Sequence, residues 1–196
     1  TSVDLSAYQN CTNLLIRFRF TTKSRGSWYI DDITVSEWTA PAIIRYTDFN
    51  ETGENSPPLV YTDDTWGKTT TTSHSGSSCW TDSPEGYSGS RITTLLMTNP
   101  INMTGSTYPR LYFWHKYDTS TNPGVSCRVE ASTNNGQSWT ELRSWSGNLN
   151  TWTQTTVDLS AYKACVNLLI RFCLTTDFNS NYDGWYIDDI TIEELI

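Results

Sequence analysis

Residues 184–192 read GWYIDDITI, and residues 27–35 carry the near-copy SWYIDDITV. The similarity extends upstream of both. TSVDLSAYQNCTNLLIRFRFTT at residues 1–22 matches TTVDLSAYKACVNLLIRFCLTT at residues 155–176, with 16 of 22 positions identical. Two long matches in the same order indicate that one structural unit is repeated within the chain.

The repeat predicts the domain organisation. Residues 1–38 hold only the late part of the repeated unit, so we predict that they are the C-terminal strands of a preceding homologous module. Residues 39–196 hold the whole unit and are predicted to be a complete module. The segment EWTAPAII at residues 37–44 forms the junction, where Pro41 ends the previous strand pattern. The chain is therefore expected to come from a tandem repeat.

The composition favours β-structure. Nine Trp and eleven Tyr, together with many Thr and Val, suit half-buried pleated surfaces. Strand-like runs are separated by turn residues, and Asn135-Gly136 supplies the positive φ values of a tight hairpin turn. We predict an all-β fold, a two-sheet antiparallel jelly-roll sandwich.

Charge and composition also restrict the partners. A formal net charge of −8 argues against nucleic-acid binding, which needs a basic face. No apolar run approaches the roughly 20 residues of a membrane-spanning helix, so membrane insertion is not expected. The triplets at Asn10, Asn50 and Asn102 match the glycosylation sequon. These features favour an extracellular or cell-surface location.

Several motifs of the second module occur in a characteristic order: LMTNPINMTG, LYFWHKY, VEASTNNGQSW, WTQTTVDLSAY, IRF and GWYIDDI. In this order they resemble the MAM-like jelly-roll modules of bacterial secreted and surface proteins, including the cleaved-adhesin and choice-of-anchor modules. The resemblance implies a non-catalytic, secreted module that serves in adhesion, anchoring or glycan contact and is often stabilised by calcium. The chain departs from the family pattern at Asn50, where Glu is usual, and in a Thr/Ser-rich early loop.

Two adjacent aspartates interrupt the apolar run of the last strand. Strand alternation places Asp188 on the same face as Ile190 and Ile192, so its carboxylate is expected to point into the core, while Asp189 faces the other way. An unpaired carboxylate buried there would cost several kcal/mol. Asp188 is therefore expected to have a partner.

Two kinds of partner remain open. One is an ion pair or hydrogen-bond network with Arg171, or with Arg17 in the first copy. The other is a hard cation, for which related jelly rolls imply Ca²⁺ bound between the first and last strands. The candidate ligands are Asp48, Asn50, Glu51, Asp188 and Asp189, with Asp31 and Asp32 as the first-copy equivalents.

The five cysteines show no zinc-type spacing. Cys11 and Cys165 are equivalent in the repeat, whereas Cys173 has no counterpart. Neighbouring strands could bring Cys173 to Cys127, which leaves Cys79 for Cys165. We predict these two bridges, with Cys11 unpaired or bonded to another module.

Aromatic and histidine side chains offer further candidates. Trp66, Trp80 and Tyr87 lie in a polar segment, where exposed rings could stack on sugars. The favoured interpretation is that they pack over the sandwich edge. His115 is predicted to be a packed strand residue and His74 an exposed loop residue.

These observations indicate a module that is not an enzyme. The leading interpretation is a structural and adhesive repeat, expected to pair with neighbouring copies or modules by strand exchange or head-to-tail packing and so to form filaments. Glycans and host or matrix proteins are further candidate partners. The alternative is a carbohydrate-binding module of a secreted enzyme such as a protease or glycosidase.

Overall fold

The structure of the protein is a computed structural model. It describes residues 65–86, 91–97, 99–177 and 182–195, the short strands at 43–45 and 59–61, and scattered positions between 3 and 33. The chain divides into two compact units, Thr1–Thr39 and Ala40–Ile196. The strands given below all belong to the second unit.

The second unit is built from short and medium strands, which suits its Thr- and aromatic-rich sequence. The described strands, in chain order, are β1 (Ile43–Arg45), β2 (Leu59–Tyr61), β3 (Gly67–Thr69), β4 (Cys79–Thr81), β5 (Ile92–Met97), β6 (Arg110–Asp118), β7 (Ser126–Ser132), β8 (Thr140–Trp145), β9 (Asn148–Asp158), β10 (Leu169–Thr175) and β11 (Gly184–Leu195).

These strands form two sheets. The six-stranded sheet has the order β3-β4-β11-β6-β9, and β1 pairs with the C-terminal end of β11. The five-stranded sheet has the order β2-β5-β10-β7-β8. The strand pairs described in both sheets are antiparallel, and most join segments that are distant in sequence. The predicted all-β antiparallel jelly-roll sandwich is confirmed.

The core lies between the two sheets. Alternation along β6 and β10 directs Phe113 and Phe172 inward, where their ring centroids are 5.2 Å apart in an edge-to-face arrangement. Trp185 from β11 packs edge-on against Phe172 at 5.8 Å. Trp66 packs edge-on against Trp185, and its indole N–H donates a hydrogen bond to Thr93 Oγ1 at 3.0 Å. Aromatic rings from both sheets thus fill the interior.

His115 belongs to this core, as its alternation with Phe113 predicts. The Trp185 indole N–H donates to His115 Nδ1 at 3.2 Å, so Nε2 carries the ring proton and donates to Thr155 Oγ1 at 3.0 Å. Burial, together with the charge of Arg143, lowers the pKa of His115 to about 4. The ring is therefore neutral and structural at physiological pH.

A β-bulge interrupts β11 at its two aspartates. The register with β6 shifts between Asp188 and Thr191, and Asp189 has a φ of +49°. The extra residue reverses the alternation, so that Ile187 and Ile190 both face the core. Asp188 pairs with Trp114 on the outer face of the six-stranded sheet. The prediction that Asp188 points into the core is therefore wrong.

The predicted disulfide bridges are also wrong. Cys79, Cys127, Cys165 and Cys173 are free thiols. In the pairing of β7 with β10, Cys127 lies opposite Leu174 and Cys173 lies opposite Arg128, so the two cysteines point to opposite faces of the sheet. Cys79 belongs to β4, whereas Cys165 follows the 3₁₀ turn Ser160–Tyr162 and packs against the core. Cys11 lies outside the described residues.

Gly184 begins β11 at a position that only glycine fits. Its φ is +88°, and a Cβ atom there would lie 2.3 Å from Asp82 Oδ1. That oxygen accepts the Trp185 backbone N–H at 2.7 Å, so it cannot move away without losing a buried hydrogen bond. The last strand therefore depends on this glycine for its entry into the sheet.

We expect Gly184→Ala to lower the free energy of unfolding by about 1–3 kcal/mol more than Gly124→Ala. Gly124 is a matched control because its φ is +92° and no atom lies near its Cβ position. Urea unfolding of both variants measures the difference. Equal destabilisation would mean that the contact with Asp82 contributes nothing.

Candidate functional site

The two aspartates of the bulge are held by the segment between β3 and β4. Asp188 Oδ2 accepts the backbone N–H groups of His74 at 2.7 Å and Ser75 at 3.2 Å, and Oδ1 accepts the Asp189 N–H at 2.9 Å. Asp189 bonds to the same two residues through its side chain, with His74 Nδ1 at 2.5 Å and Ser75 Oγ at 2.6 Å. We name these four residues the aspartate clasp.

His74 also joins the clasp to the aromatic side chains of the outer face. Its ring stacks on Trp114 with centroids 3.7 Å apart and planes 11° apart. Trp152 lies edge-on to it at 6.2 Å. The side chain of His74 is 28% exposed. The sequence predicts an exposed loop residue, and its structural role could not be read from the polar residues around it.

Asp188 is fully buried although it lies on the outer face. Burial, together with the charge of Asp189, raises its pKa to about 6, and the three N–H donors oppose that rise. Burial and the Asp188 carboxylate raise the pKa of Cys79 to about 12. The Cys79 thiol is therefore protonated and unreactive at neutral pH.

Of the two alternatives left open for Asp188, the ion pair with Arg171 does not form, whereas a hydrogen-bond network does. Arg171 lies on the other sheet, where its Nε bonds to Glu130 Oε2 at 2.5 Å and its guanidinium lies 4.2 Å from the ring centroid of Trp139. Arg128 bonds to the other oxygen of Glu130 at 3.1 Å. This network links the neighbouring strands β7 and β10. Asp188 instead accepts hydrogen bonds from backbone N–H groups.

The predicted calcium site is described only in part. Asp48, Asn50, Glu51, Asp31 and Asp32 lie outside the described residues. Within the described part of the chain, no group of three or more His, Cys, Asp or Glu side chains gathers as metal ligands. The neighbours described around Asp188 supply N–H donors rather than the oxygens that calcium needs, so they do not by themselves fit this ion. A cation held with the first strand stays a prediction.

Two of the three candidate glycan contacts, Trp66 and Trp80, are not on the surface. Trp66 is 2% exposed and Trp80 is 4% exposed, and both belong to the core. This agrees with the favoured interpretation that these rings pack against the sandwich. Tyr87 lies outside the described residues.

Among the aromatic residues on the surface are three that the sequence analysis did not select as glycan contacts. Trp114, Trp152 and Tyr186 are partly exposed on the outer face of the six-stranded sheet, with Lys116 among them. The alternation of LYFWHKY could have identified Trp114 and Lys116, because they have the opposite parity to the buried Phe113. Trp152 lies within the register shift between β6 and β9, on the stretch of β9 between Leu149 and Thr153, and no pattern in the sequence reveals this shift.

One of the three sequons lies in the described structure. Asn102 is exposed, and its side-chain oxygen accepts the Thr104 N–H at 2.9 Å in a local turn. Asn10 and Asn50 lie outside the described residues. Among the helices that the structure describes, none is long and apolar enough to cross a membrane.

Comparison with known sequences gives two matches. The sequence model of the family described as Reelin subrepeat B matches residues 72–193. Bacillopeptidase F from Bacillus subtilis (strain 168) is 29% identical over 110 residues, which cover 55% of this chain and 7% of that protein. The chain thus corresponds to a small part of the length of this relative.

Solved structures resemble the fold. TmCBM61 in complex with beta-1,4-galactotriose has a TM-score of 0.51 at 14% identity, over 76% of this chain and 97% of that chain. The K3 cleaved adhesin domain of Lys-gingipain from Porphyromonas gingivalis W83 has a TM-score of 0.50 at 19% identity, over 74% of this chain and 98% of that chain. The expected resemblance to cleaved-adhesin domains is thereby supported at the level of fold.

The pKa shifts of Asp188 and His115 predict opposite effects on stability in one pH range. The folded-state pKa of Asp188 is raised from 3.8 to about 6, so its stabilising contribution is complete below pH 3.8 and is lost as pH rises through 6. The pKa of His115 is lowered from 6.5 to about 4, so its contribution is present above pH 6.5 and is lost as pH falls through 4. Each corresponds to about 3 kcal/mol.

Asp188→Asn removes the titration of Asp188 and leaves that of His115, so the difference between the variant and the wild type isolates the contribution of Asp188. We expect the free energy of unfolding of the variant, minus that of the wild type, to rise by about 3 kcal/mol between pH 4 and 7. Urea unfolding across this range measures the difference. Asp158→Asn is the control. Hydrogen bonds from Ser160 lower the pKa of this exposed carboxyl. The difference in free energy of unfolding between this variant and the wild type therefore changes below pH 4 and with the opposite sign. A flat difference for Asp188→Asn contradicts the assignment.

The calcium prediction is tested by chelation. An ion that binds only the folded protein stabilises it by about 3–4 kcal/mol at 100–1,000 times its dissociation constant. If Ca²⁺ bridges Asp188 and the Asp48–Glu51 segment, excess EDTA lowers the melting temperature of the wild type but not that of Asp188→Asn. Asp158→Asn should keep the response. An unchanged wild-type melting curve in EDTA rules the ion out.

Proposed function

Because the chain belongs to the Reelin subrepeat B family, we propose that it is a non-catalytic structural and adhesive repeat of a multi-module extracellular protein. The match to a small part of Bacillopeptidase F supports a unit that recurs within longer chains. The cleaved adhesin domain named above supports an adhesive role, and the narrower assignment to MAM-like or choice-of-anchor modules is part of this proposal.

Three ionisable groups of the second unit have structural environments that support a non-catalytic role. His115 is neutral inside the core, Cys79 is a buried and protonated thiol, and Asp188 binds backbone N–H groups. Each would need large rearrangement to act as a base or nucleophile.

The single observation that carries the proposal is a difference between the two copies of the repeat. Phe172 and Ile170 are fully buried in the second unit, whereas their counterparts Phe18 and Ile16 are 49% and 48% exposed in the first. Four further pairs among the described residues show the same difference. The exposed residues of the first unit are Val3, Leu15, Ile16, Phe18, Ile30 and Ile33, and their buried counterparts are Val157, Leu169, Ile170, Phe172, Ile187 and Ile190.

Covering these side chains would release substantial free energy. Full burial of one such side chain is worth about 1.5–3 kcal/mol, so six of them provide on the order of 10 kcal/mol. Association costs about 4–15 kcal/mol before any gain. The apolar surface of the first unit is therefore large enough to drive a specific but moderate association.

The partner that we propose is the early half of a homologous module in a neighbouring copy. In the second unit β5 and β7 flank β10, and β6 pairs with β11, so these three strands cover the repeated segments. The equivalent strands of a neighbour would cover the first unit in the same way. Such exchange is head-to-tail and need not close, so it extends into filaments.

Phe18→Asp and Leu15→Asp should reduce this association. We expect the wild type to show concentration-dependent oligomers in light scattering, and either variant to remain monomeric because a carboxylate replaces a side chain that the neighbour buries. Thr21→Asp is the control, since it adds the same charge at an exposed polar position of the first unit. A wild type that stays monomeric at every concentration contradicts the proposal, as would equal behaviour of all three variants.

A further inference from the structure

Three side chains form a row across the outer face of the six-stranded sheet. Tyr186 on β11 lies opposite Lys116 on β6, and Trp152 projects from β9 on the other side of Lys116. Lys116 Nζ is 4.7 Å from the ring centroid of Tyr186 and 5.7 Å from that of Trp152. All three side chains are partly exposed. We name them the aromatic row.

Polar groups border the aromatic row on one side. A pocket of about 40 Å³ beside Tyr186 and Lys116 is lined by Asp118, Asn150 and Asp183 among others. The Tyr186 hydroxyl donates a hydrogen bond to Asp183, and the Asn148 side chain donates to Asp118 Oδ1 at 2.9 Å. The pocket therefore offers carboxylate and amide groups next to the rings.

The opposite side of the aromatic row is closed by His74. Its ring is fixed by Asp189 and stacked on Trp114, and it stands edge-on to Trp152. The aspartate clasp thus forms one wall and the polar pocket the other. The rings between them are supported by strands β6, β9 and β11, so little ordering is needed on binding.

We propose that the aromatic row and its pocket bind a neutral saccharide. Trp152 and Tyr186 present apolar ring surface for the C–H face of a sugar, while Asp118, Asp183 and Asn150 are placed to bond to its hydroxyl groups. Lys116 donates to ring or hydroxyl oxygens from the centre of the row. This combination of rings and converging polar groups is what a polyhydroxylated ring requires.

Charge favours a neutral ligand over an acidic one. Asp118 and Asp183 both face the pocket, Lys116 is the cation of the row, and the whole chain carries a formal net charge of −8. A uronic acid or a sulfated sugar would meet like charges here and would lose affinity. Hydroxyl groups, in contrast, donate hydrogen bonds to carboxylates without such a penalty.

The size of the surface favours a saccharide over a protein partner. The row crosses three strands, which is two strand spacings or about 10 Å. A stable protein interface buries about 800 Å² on each side. The large apolar side chains that are well exposed among the described residues of the second unit are Ile92, Tyr108, Val166 and Tyr182. None of them belongs to the row, so the row by itself is smaller than a stable protein interface.

The test is retention of the full chain in native gels that contain xylan or β-1,4-galactan, with polygalacturonate as the acidic comparison. We expect retention by at least one neutral polymer and none by polygalacturonate. Trp152→Ala should weaken the affinity about tenfold, because truncation of a central aromatic anchor removes much of the binding energy. Lys116→Met should weaken the affinity by a smaller factor, because methionine keeps the aliphatic part of the side chain and loses the ammonium group that donates hydrogen bonds.

Trp139→Ala is the matched control. Trp139 is also a partly exposed tryptophan next to a cation, Arg171, but it lies in the connection between β7 and β8 of the other sheet. Its removal should leave retention unchanged, and melting curves verify that each variant is folded. Absence of retention by both neutral polymers, equal loss in Trp139→Ala and Trp152→Ala, or stronger retention by polygalacturonate would each overturn the proposal. None of these results depends on association through the first unit, which Phe18→Asp removes.

Discussion

The hydrogen bonds from the backbone of His74 and Ser75 to the carboxylate of Asp188 connect segments 114 and 113 residues apart. A carboxylate that is fully buried without such donors would cost several kcal/mol. The segment before β4 must therefore lie against the last strand, and its position fixes the outer face of the six-stranded sheet. His74 stacks on Trp114 because its own backbone is bound to Asp188.

The bulge explains why two aspartates stand together in an apolar strand. The first must accept N–H groups on the outer face, and the second must adopt a φ of +49°, which Asp tolerates better than β-branched residues do. With the bulge, Ile187 and Ile190 both reach the core although they are three residues apart. The pair of aspartates thus combines a change of register with the attachment of a distant segment.

The parts of the fold that follow alternation and turn spacing could be predicted from the sequence. The β-sandwich, the inward Phe113 and the packed His115 are of this kind. The side of the sheet on which Asp188 lies could not be predicted. It is inferred from Ile190 and Ile192, and the positive φ of Asp189 reverses the alternation between these residues and Asp188. The bridge between Cys127 and Cys173 failed for a similar reason, since neighbouring strands bring them close but a register offset of one residue separates their faces. The polar surroundings of Trp66 left two interpretations open, and its burial agrees with the favoured one, in which the ring packs against the sandwich.

The repeated segments show the limit of such prediction most directly. Phe18 and Phe172 occupy the same position in nearly identical sequences, yet one is 49% exposed and the other is fully buried. Local propensity cannot cause this difference, since it is the same for both. In the second unit Phe172 lies beside Leu95 and Val129 on the flanking strands β5 and β7, and Phe113 of β6 covers it from the facing sheet. Whether an apolar side chain of the repeated segment is buried is therefore determined by strands that lie outside that segment in the sequence. The same segment is exposed without those strands and forms part of the core when they pack against it.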